Sequence, residues 1–149
     1  MTTRADILRA AREFTLTPFR HQGRAKGVGV DCIGLLVCAA REAGIELADR
    51  TDYSRQPIPA ELLAGFGAIL DRKASLAVAP ADVLVFWIID PATLPPEQLA
   101  ETPQHVALAT ETGMIHSWSG GAKRVVEHGI SHGWASRLHS VWSFRGLED

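Results

Sequence analysis

The apolar run at residues 83–89 divides the chain into two parts with different hydrophobic patterns. Before this run, apolar residues recur every three or four positions, which is typical of amphipathic helices. The run itself is β-branched and aromatic and too short for most buried helices, and the short apolar segments after it are typical of strands. Helices early and strands late predict an α+β fold in which N-terminal helices pack on a C-terminal antiparallel sheet.

Three helices are predicted in the first part. Thr3 and Asp6 resemble a capping box for the first helix, which runs at helical spacing until residues 17 and 18. The second helix begins after Asp31 and ends before Gly44, a residue suited to a C-terminal cap. The glycine-rich stretch that leads to Asp31 has no periodicity and predicts a loop. A third helix is indicated by Leu62, Leu63, Phe66, Ile69 and Leu70.

A hairpin is predicted in the second part. Residues 105–109 and 114–118 flank a segment whose Gly113 suits a short turn, and further strands are expected near residues 125–126 and 141–144. Residues 90–103 contain four prolines and predict a surface excursion. This excursion either forms a rim or lid beside a cleft or is a tolerated insertion.

The composition limits the number of domains and the class of partner. A chain of 149 residues, of which 46% are apolar and 21% charged, suits one domain spanning residues 1–149. The net charge of −2 shows no basic bias, so we expect no nucleic-acid partner. No segment has the roughly eighteen apolar residues of a membrane span, and residues 1–6 lack the apolar stretch of a secretory signal. We therefore expect synthesis in the cytoplasm.

Cys32 is a candidate nucleophile because it lies at the predicted start of the second helix. The first N–H groups of a helix have no internal partners and carry the positive end of its dipole, so we expect the thiolate to be favoured there. The backbone N–H of Cys32 is a candidate oxyanion donor. Asp31 is expected to cap the helix, and Cys38 is expected to belong to the core.

Two histidines of the hairpin are candidate partners for the thiol. His105 opens one strand and His116 lies in the return strand, so both are predicted to stand side by side on one face of the sheet. On that face, Ala107 and Ala109 would leave room for the second helix and its thiol. The predicted triad is Cys32 as nucleophile, His105 as acid and base, and His116 as orienting residue, the logic of papain-like proteases.

Other residues carry weaker alternatives. His128 and His132 are four residues apart, but each precedes a glycine, which argues against a common zinc site, so we expect neither metal nor cofactor. Both histidines, with His139, are interpreted as loop or edge residues. Gln22 is a candidate second oxyanion donor or a polar loop residue. Trp118 and Trp134 either line a groove or belong to the core.

Four segments resemble the NlpC family of bacterial cell-wall peptidases, which are papain-like cysteine enzymes. The sequence DCIGLL at 31–36 resembles the family's D-C-x-G-L signature. TPFR at 17–20 resembles the T-P-Y segment, ADVLVF at 81–86 resembles G-D-L-V-x-F, and HVAL at 105–108 resembles H-V-x-x-Y. MIHS at 114–117 matches the position of the third, polar member of the triad. The segments occur in the family's order, and the stretch from the first to the last, residues 17–117, makes up most of the chain.

The resemblance implies a cysteine peptidase that hydrolyses peptidoglycan stem peptides next to D-glutamate and diaminopimelate. Phe19 stands where the family usually has tyrosine, so a hydroxyl is missing and Gln22 or His21 could supply another donor. These three residues are the candidate substrate or oxyanion contacts. Ala81 stands where the family has glycine.

Residues 18–32 are most similar to compact members of the family that are encoded with tail proteins of bacteriophages and gene-transfer particles. This similarity implies phage-like tail proteins as partners and delivery to the cell wall in a particle tail, which needs no secretory leader. Two alternatives remain open. One is a structural tail-assembly protein that has kept the fold without catalysis, and the other is a related amidase or acyltransferase.

Overall fold

Two helices and a small hairpin precede a six-stranded antiparallel sheet in the computed structural model, which describes residues 1–55, 57, 69–102 and 104–148. The elements are α1 (Arg4–Arg12), β1 (Arg24–Ala25), β2 (Gly29–Val30), α2 (Cys32–Glu42), β3 (Leu70–Arg72), β4 (Val83–Trp87), β5 (Gln104–Ala109), β6 (Met114–Ser117), β7 (Val125–His128), α3 (His132–Ala135) and β8 (Leu138–Phe144). The strand order of the sheet is β3-β8-β4-β5-β6-β7. The predicted α+β fold is confirmed.

Local sequence signals set the ends of the first two helices. The Thr3 hydroxyl accepts the Asp6 N–H at 3.1 Å, and the Asp6 carboxylate accepts the Thr3 N–H at 2.9 Å, so the predicted capping box is confirmed. At the end of α2, Gly44 has a φ of 96°, and the Ile45 N–H donates to the Ala40 carbonyl at 2.9 Å. Glycine adopts this left-handed conformation without steric cost, as its predicted capping role requires.

Two segments before β4 differ from the structure that the sequence predicts. The predicted loop before α2 contains the hairpin β1–β2, in which Arg24 pairs with Val30, so that prediction is wrong in part. Most of the predicted third helix lies outside the described residues. Its last residue, Leu70, begins β3 and pairs with Phe144 of β8, because pairing at the edge of the sheet satisfies the backbone here. In the described part of the chain, no helix has the length and hydropathy that crossing a membrane requires.

The two faces of the sheet have different covers. Helices α1 and α2 pack on the face that carries Val106 and Leu108. Ala107 and Ala109 belong to a smaller apolar cluster on the other face, together with Phe86. The prediction that these alanines make room for α2 is therefore wrong. Alternation along β5 gives the helix the larger valine and leucine side chains, which bury more apolar area.

An ion-pair cluster connects α1 to the start of β4. The Asp82 carboxylate is fully buried and accepts from Arg4 Nη1 at 2.9 Å and from Lys73 Nζ at 2.8 Å. The preceding residue, Ala81, has a φ of 68°. Glycine adopts this left-handed conformation without steric cost, which explains why the NlpC segment that residues 81–86 resemble begins with glycine.

The glycine of the D-C-x-G-L segment has a steric role. A Cβ on Gly34 would lie 2.1 Å from the Gly23 carbonyl oxygen, far inside van der Waals contact. The loop before α2 can therefore approach the first turn of the helix only because Gly34 has no side chain.

We expect Gly34→Ala to lower the free energy of unfolding by about 2 kcal/mol, because the overpacking costs more than the gain in helix propensity. Gly133→Ala is the matched control within a helix, since its Cβ would lie 3.9 Å from the nearest atom, Ser131 Oγ. Urea unfolding followed by circular dichroism measures both. Equal stability of Gly34→Ala and the wild type would contradict the steric argument.

Candidate active site

The candidate site lies in a gap between strands β5 and β6. In the described residues, the ladder between these strands contains two pairs, Leu108 with Ile115 and Ala109 with Met114. Residues 104–107 pair with β4, and residues 116–117 pair with β7, so the facing edges of β5 and β6 are unpaired there. The Ser117 hydroxyl donates to the Val30 carbonyl at 2.8 Å, which fixes the start of α2 at this gap.

A narrow cavity of about 30 Å³ occupies the site. Of the residues that the sequence predicts, it is lined by Phe19, His21, Asp31, Cys32, His105 and Trp118. The cavity therefore brings together the candidate nucleophile from a helix and the candidate base from a strand, which are far apart in sequence.

Burial dominates the ionisation of Cys32, which is 8% exposed. The loss of water, with the negative charge of Asp31 as the second cause, raises the pKa of the thiol to about 12. The N–H groups of Val106, Ile33 and Cys32 itself oppose this rise without cancelling it. The expectation that the helix dipole favours a thiolate is therefore wrong for the substrate-free protein.

His105 is also neutral in this state. Its side chain is 2% exposed, and its ring centroid lies 4.7 Å from that of Trp118 and 5.5 Å from that of Trp134. Burial lowers the pKa of His105 well below its usual value, and the neighbouring His116 and Arg137 lower it further. Cys32 and His105 share the cavity, but their described hydrogen bonds do not include one between them.

His116 contacts His105 without itself lining the cavity. The two strands put the rings diagonally across one face, and His105 Nε2 lies 2.8 Å from His116 Nδ1. Burial, with His128 as the second cause, lowers the pKa of His116 to about 4, so its ring is neutral near pH 7. The other ring nitrogen of His105, Nδ1, takes no part in this contact.

His128, which was interpreted from the sequence as a loop or edge residue, extends this contact. Its Nε2 atom lies 2.8 Å from His116 Nε2, and its Nδ1 atom lies 2.8 Å from the Gly129 carbonyl oxygen. His128 pairs with Met114 across β6 and β7, which places it diagonally from His116. Among the described residues, no group of three or more His, Cys, Asp or Glu side chains is arranged to hold a metal ion.

Asp31 organises the loop side of the site. One carboxylate oxygen accepts the Gly34 N–H at 2.7 Å, as an N-cap does, and Arg24 Nη1 at 3.2 Å. The other accepts the Gln22 N–H at 2.7 Å and the Tyr53 hydroxyl at 2.5 Å. Four donors from three segments therefore converge on one buried side chain.

Gln22 does not supply a donor to the cavity. Its side-chain Nε2 donates to the Tyr53 carbonyl at 2.9 Å, and Gln22 is not among the lining residues. His21 lines the cavity with its ring edge against Tyr53, at a centroid distance of 5.7 Å. Phe19 also lines the cavity. The chain has one tyrosine, Tyr53, and its hydroxyl donates to Asp31.

Gln104 is a lining residue that the sequence analysis missed. It is 3% exposed, and its Nε2 has no hydrogen-bond partner in the described part of the chain. A buried donor without a partner is uncommon in folded proteins and marks a position where a ligand could accept. In the sequence, the only feature that could have indicated Gln104 as a site residue is its position next to His105. The surface excursion leaves the sheet after Ile88 and returns at Gln104, so both of its ends adjoin the cavity.

We expect Asp31→Asn to lower the pKa of Cys32, because a negative charge next to the thiol is removed. Ultraviolet absorbance of the thiolate during a pH titration, in a Cys38→Ala background with Cys32→Ser as blank, measures the change. Asp49→Asn is the matched control, since Asp49 also pairs with Arg24, at 2.9 Å, but does not contact the cavity. Identical titration curves for Asp31→Asn and the parent would contradict the stated electrostatic cause.

Comparison with known proteins gives matches at the level of structure. No family model matches the sequence, and no curated protein matches it. The NlpC/p60 domain of the peptidoglycan hydrolase SagA superposes with a TM-score of 0.61 at 20% identity, covering 95% of this chain and 98% of that one.

Two longer proteins also match. An NlpC/P60 family protein from Bacillus cereus ATCC 10987 has a TM-score of 0.64 at 19% identity, covering 95% of this chain and 40% of that one. A protein from Staphylococcus aureus subsp. aureus Mu50, described as similar to lipoprotein of the NLP/P60 family, has a TM-score of 0.58 at 20% identity, covering 98% and 42%. The chain thus spans about two fifths of these two proteins. It has the papain-like α+β fold of NlpC/P60 domains.

Proposed function

We propose that the protein is a cysteine peptidase that hydrolyses peptidoglycan stem peptides. The observation that carries the proposal is the cavity that Cys32 and His105 both line, with His116 Nδ1 at 2.8 Å from Nε2 of the His105 imidazole. The fold shared with a domain of a peptidoglycan hydrolase, together with the D-C-x-G-L segment, supports a cell-wall peptide as substrate.

The chemistry starts from a neutral thiol and a neutral imidazole. As Sγ of Cys32 attacks the peptide carbonyl carbon, the thiol proton passes to His105 Nδ1. His105 then gives this proton to the leaving amine as the C–N bond breaks, and water hydrolyses the thioester that remains. His116 holds the ring of His105 in position through the 2.8 Å contact. Because the substrate-free thiol is protonated, we expect proton transfer to accompany attack.

Two donors are available for the oxyanion. The N–H of Cys32 lies at the start of α2, where helix geometry leaves it without an intrahelical partner. Gln104 lines the same cavity, and its Nε2 has no hydrogen-bond partner among the residues that the structure describes. A carbonyl that becomes negatively charged between them would satisfy the donor that the substrate-free protein leaves buried and unpaired.

The size and lining of the cavity suit an acidic peptide that lies across its opening. A volume of about 30 Å³ admits the atoms next to the scissile bond and not a whole stem peptide. Arg55 is exposed and belongs to the lining, which supports its guanidinium as the group that binds a carboxylate such as that of D-glutamate or diaminopimelate.

We further propose that the protein works as a component of a phage-like or gene-transfer particle tail that opens the cell wall locally. The similarity of residues 18–32 to tail-encoded peptidases supports this role. Immunogold labelling of purified particles at the tail tip tests it, and particles without label would contradict it.

We expect purified protein to release stem-peptide fragments from peptidoglycan, and Cys32→Ser to reduce the rate about 10⁴-fold, since the nucleophile is lost. Mass spectrometry of the soluble products measures both. Cys38→Ser is the matched control and should retain activity, because Cys38 lies outside the cavity.

The same assay separates the alternatives. No products from the wild-type protein would favour a structural tail-assembly protein with the same fold. Fragments cut between the sugar and the peptide would identify an amidase, and fragments joined to an added amine would identify an acyltransferase.

We expect Gln104→Leu to lower kcat about 10²-fold by removing an oxyanion donor, because no group among the described residues binds Nε2 and this donor is available to the substrate. Gln98→Leu, at an exposed position in the excursion, is the matched control. Steady-state kinetics with a synthetic stem peptide and thermal unfolding provide the measurements. An unchanged kcat in Gln104→Leu would remove this residue from the mechanism.

A further inference from the structure

Three histidines form a continuous chain of contacts from the cavity to the surface. His105 Nε2 lies 2.8 Å from His116 Nδ1, and His116 Nε2 lies 2.8 Å from His128 Nε2. The chain ends where His128 Nδ1 lies 2.8 Å from the carbonyl oxygen of Gly129. His105 is buried, whereas His128 is exposed.

The last contact has a fixed direction, because a carbonyl oxygen only accepts hydrogen bonds. His128 Nδ1 therefore carries a hydrogen, and in neutral His128 the other nitrogen, Nε2, must accept. It follows that His116 Nε2 donates and His116 Nδ1 accepts.

The role of His116 Nδ1 also determines which nitrogen of His105 carries a hydrogen. Since His116 Nδ1 accepts, His105 Nε2 donates, and a neutral ring has a single hydrogen. The Nδ1 atom of His105 is then the unprotonated nitrogen. The buried rings of His105 and His116 are neutral because burial lowers the pKa of each. Each ring therefore carries one hydrogen, so each has one donating and one accepting nitrogen.

We propose that His128 is a positioning residue that fixes the tautomers of His116 and His105, so that His105 keeps Nδ1 unprotonated as the base for Cys32. His128 acts through His116 and is not among the cavity-lining residues. The role as base rests on the proposed function. The tautomer assignment rests on the hydrogen-bond chain alone.

Nitrogen-15 NMR of protein labelled at histidine tests the assignment, because chemical shifts distinguish protonated from unprotonated ring nitrogens. At a pH where all three rings are neutral, we expect hydrogens on His105 Nε2, His116 Nε2 and His128 Nδ1. In His128→Ala, the buried rings should show a mixture of tautomers. His128→Gln should restore the wild-type pattern, since its side-chain oxygen can accept from His116 Nε2.

Kinetics give a second, independent result. We expect His128→Ala to lower kcat about tenfold with little change in KM, because a mixture of tautomers leaves fewer His105 rings with Nδ1 unprotonated. His128→Gln should recover most of this loss. His132→Ala is the matched control, because His132 is an exposed histidine outside the chain of contacts.

The outcomes separate this inference from the proposed function. A hydrogen on His105 Nδ1 in the neutral wild-type protein would overturn the inference, whatever the stability of the variants. So would an unchanged tautomer pattern in folded His128→Ala. The expected NMR pattern in a protein that cleaves no peptidoglycan would leave the tautomer assignment standing and reject the proposed function.

Discussion

The carboxylate of Asp31 is the interaction on which the geometry of the site depends. It caps α2, and it also accepts from the Gln22 backbone, the Arg24 guanidinium and the Tyr53 hydroxyl. Removing it would leave several buried donors without a partner, which costs far more than losing one surface ion pair. The helix start, the preceding loop and the segment around Tyr53 are thereby fixed relative to one another, and the thiol of Cys32 is fixed with them.

This arrangement has an electrostatic cost at the adjacent residue. The same negative charge that holds the loop raises the pKa of Cys32, in the same direction as burial. The helix dipole is worth about 1 kcal/mol or less at most sites, which is too little to offset the loss of hydration around a buried sulfur. The thiol of Cys32 is therefore protonated near pH 7 in the substrate-free protein.

The sequence predicted the elements better than it predicted their contacts. The capping box at Thr3, the glycine at position 44 and the hairpin that carries His105 and His116 are local patterns, and each appears where the sequence indicates. Packing was harder to foresee. The alanines at positions 107 and 109 face away from α2, because the choice of sheet face depends on side chains from several strands at once.

The missed site residues have the same explanation. His128 reaches His116 only through the pairing of β6 with β7, whose register depends on the loop between them. Gln104 is a candidate because its Nε2 has no hydrogen-bond partner among the described residues, and no sequence pattern encodes such an absence. Tyr53 comes from a segment without periodicity, and it is fixed by one hydrogen bond to Asp31.

The chain of three imidazoles also bears on how a ring as buried as that of His105 could accept a positive charge. An imidazolium at His105 would stand among indole rings, with almost no solvent to stabilise it. Two short proton shifts along the 2.8 Å contacts would move the positive charge outward to His128, where water solvates it. The buried ring of His105 would then accept the proton, while water at the surface of the molecule stabilises the positive charge.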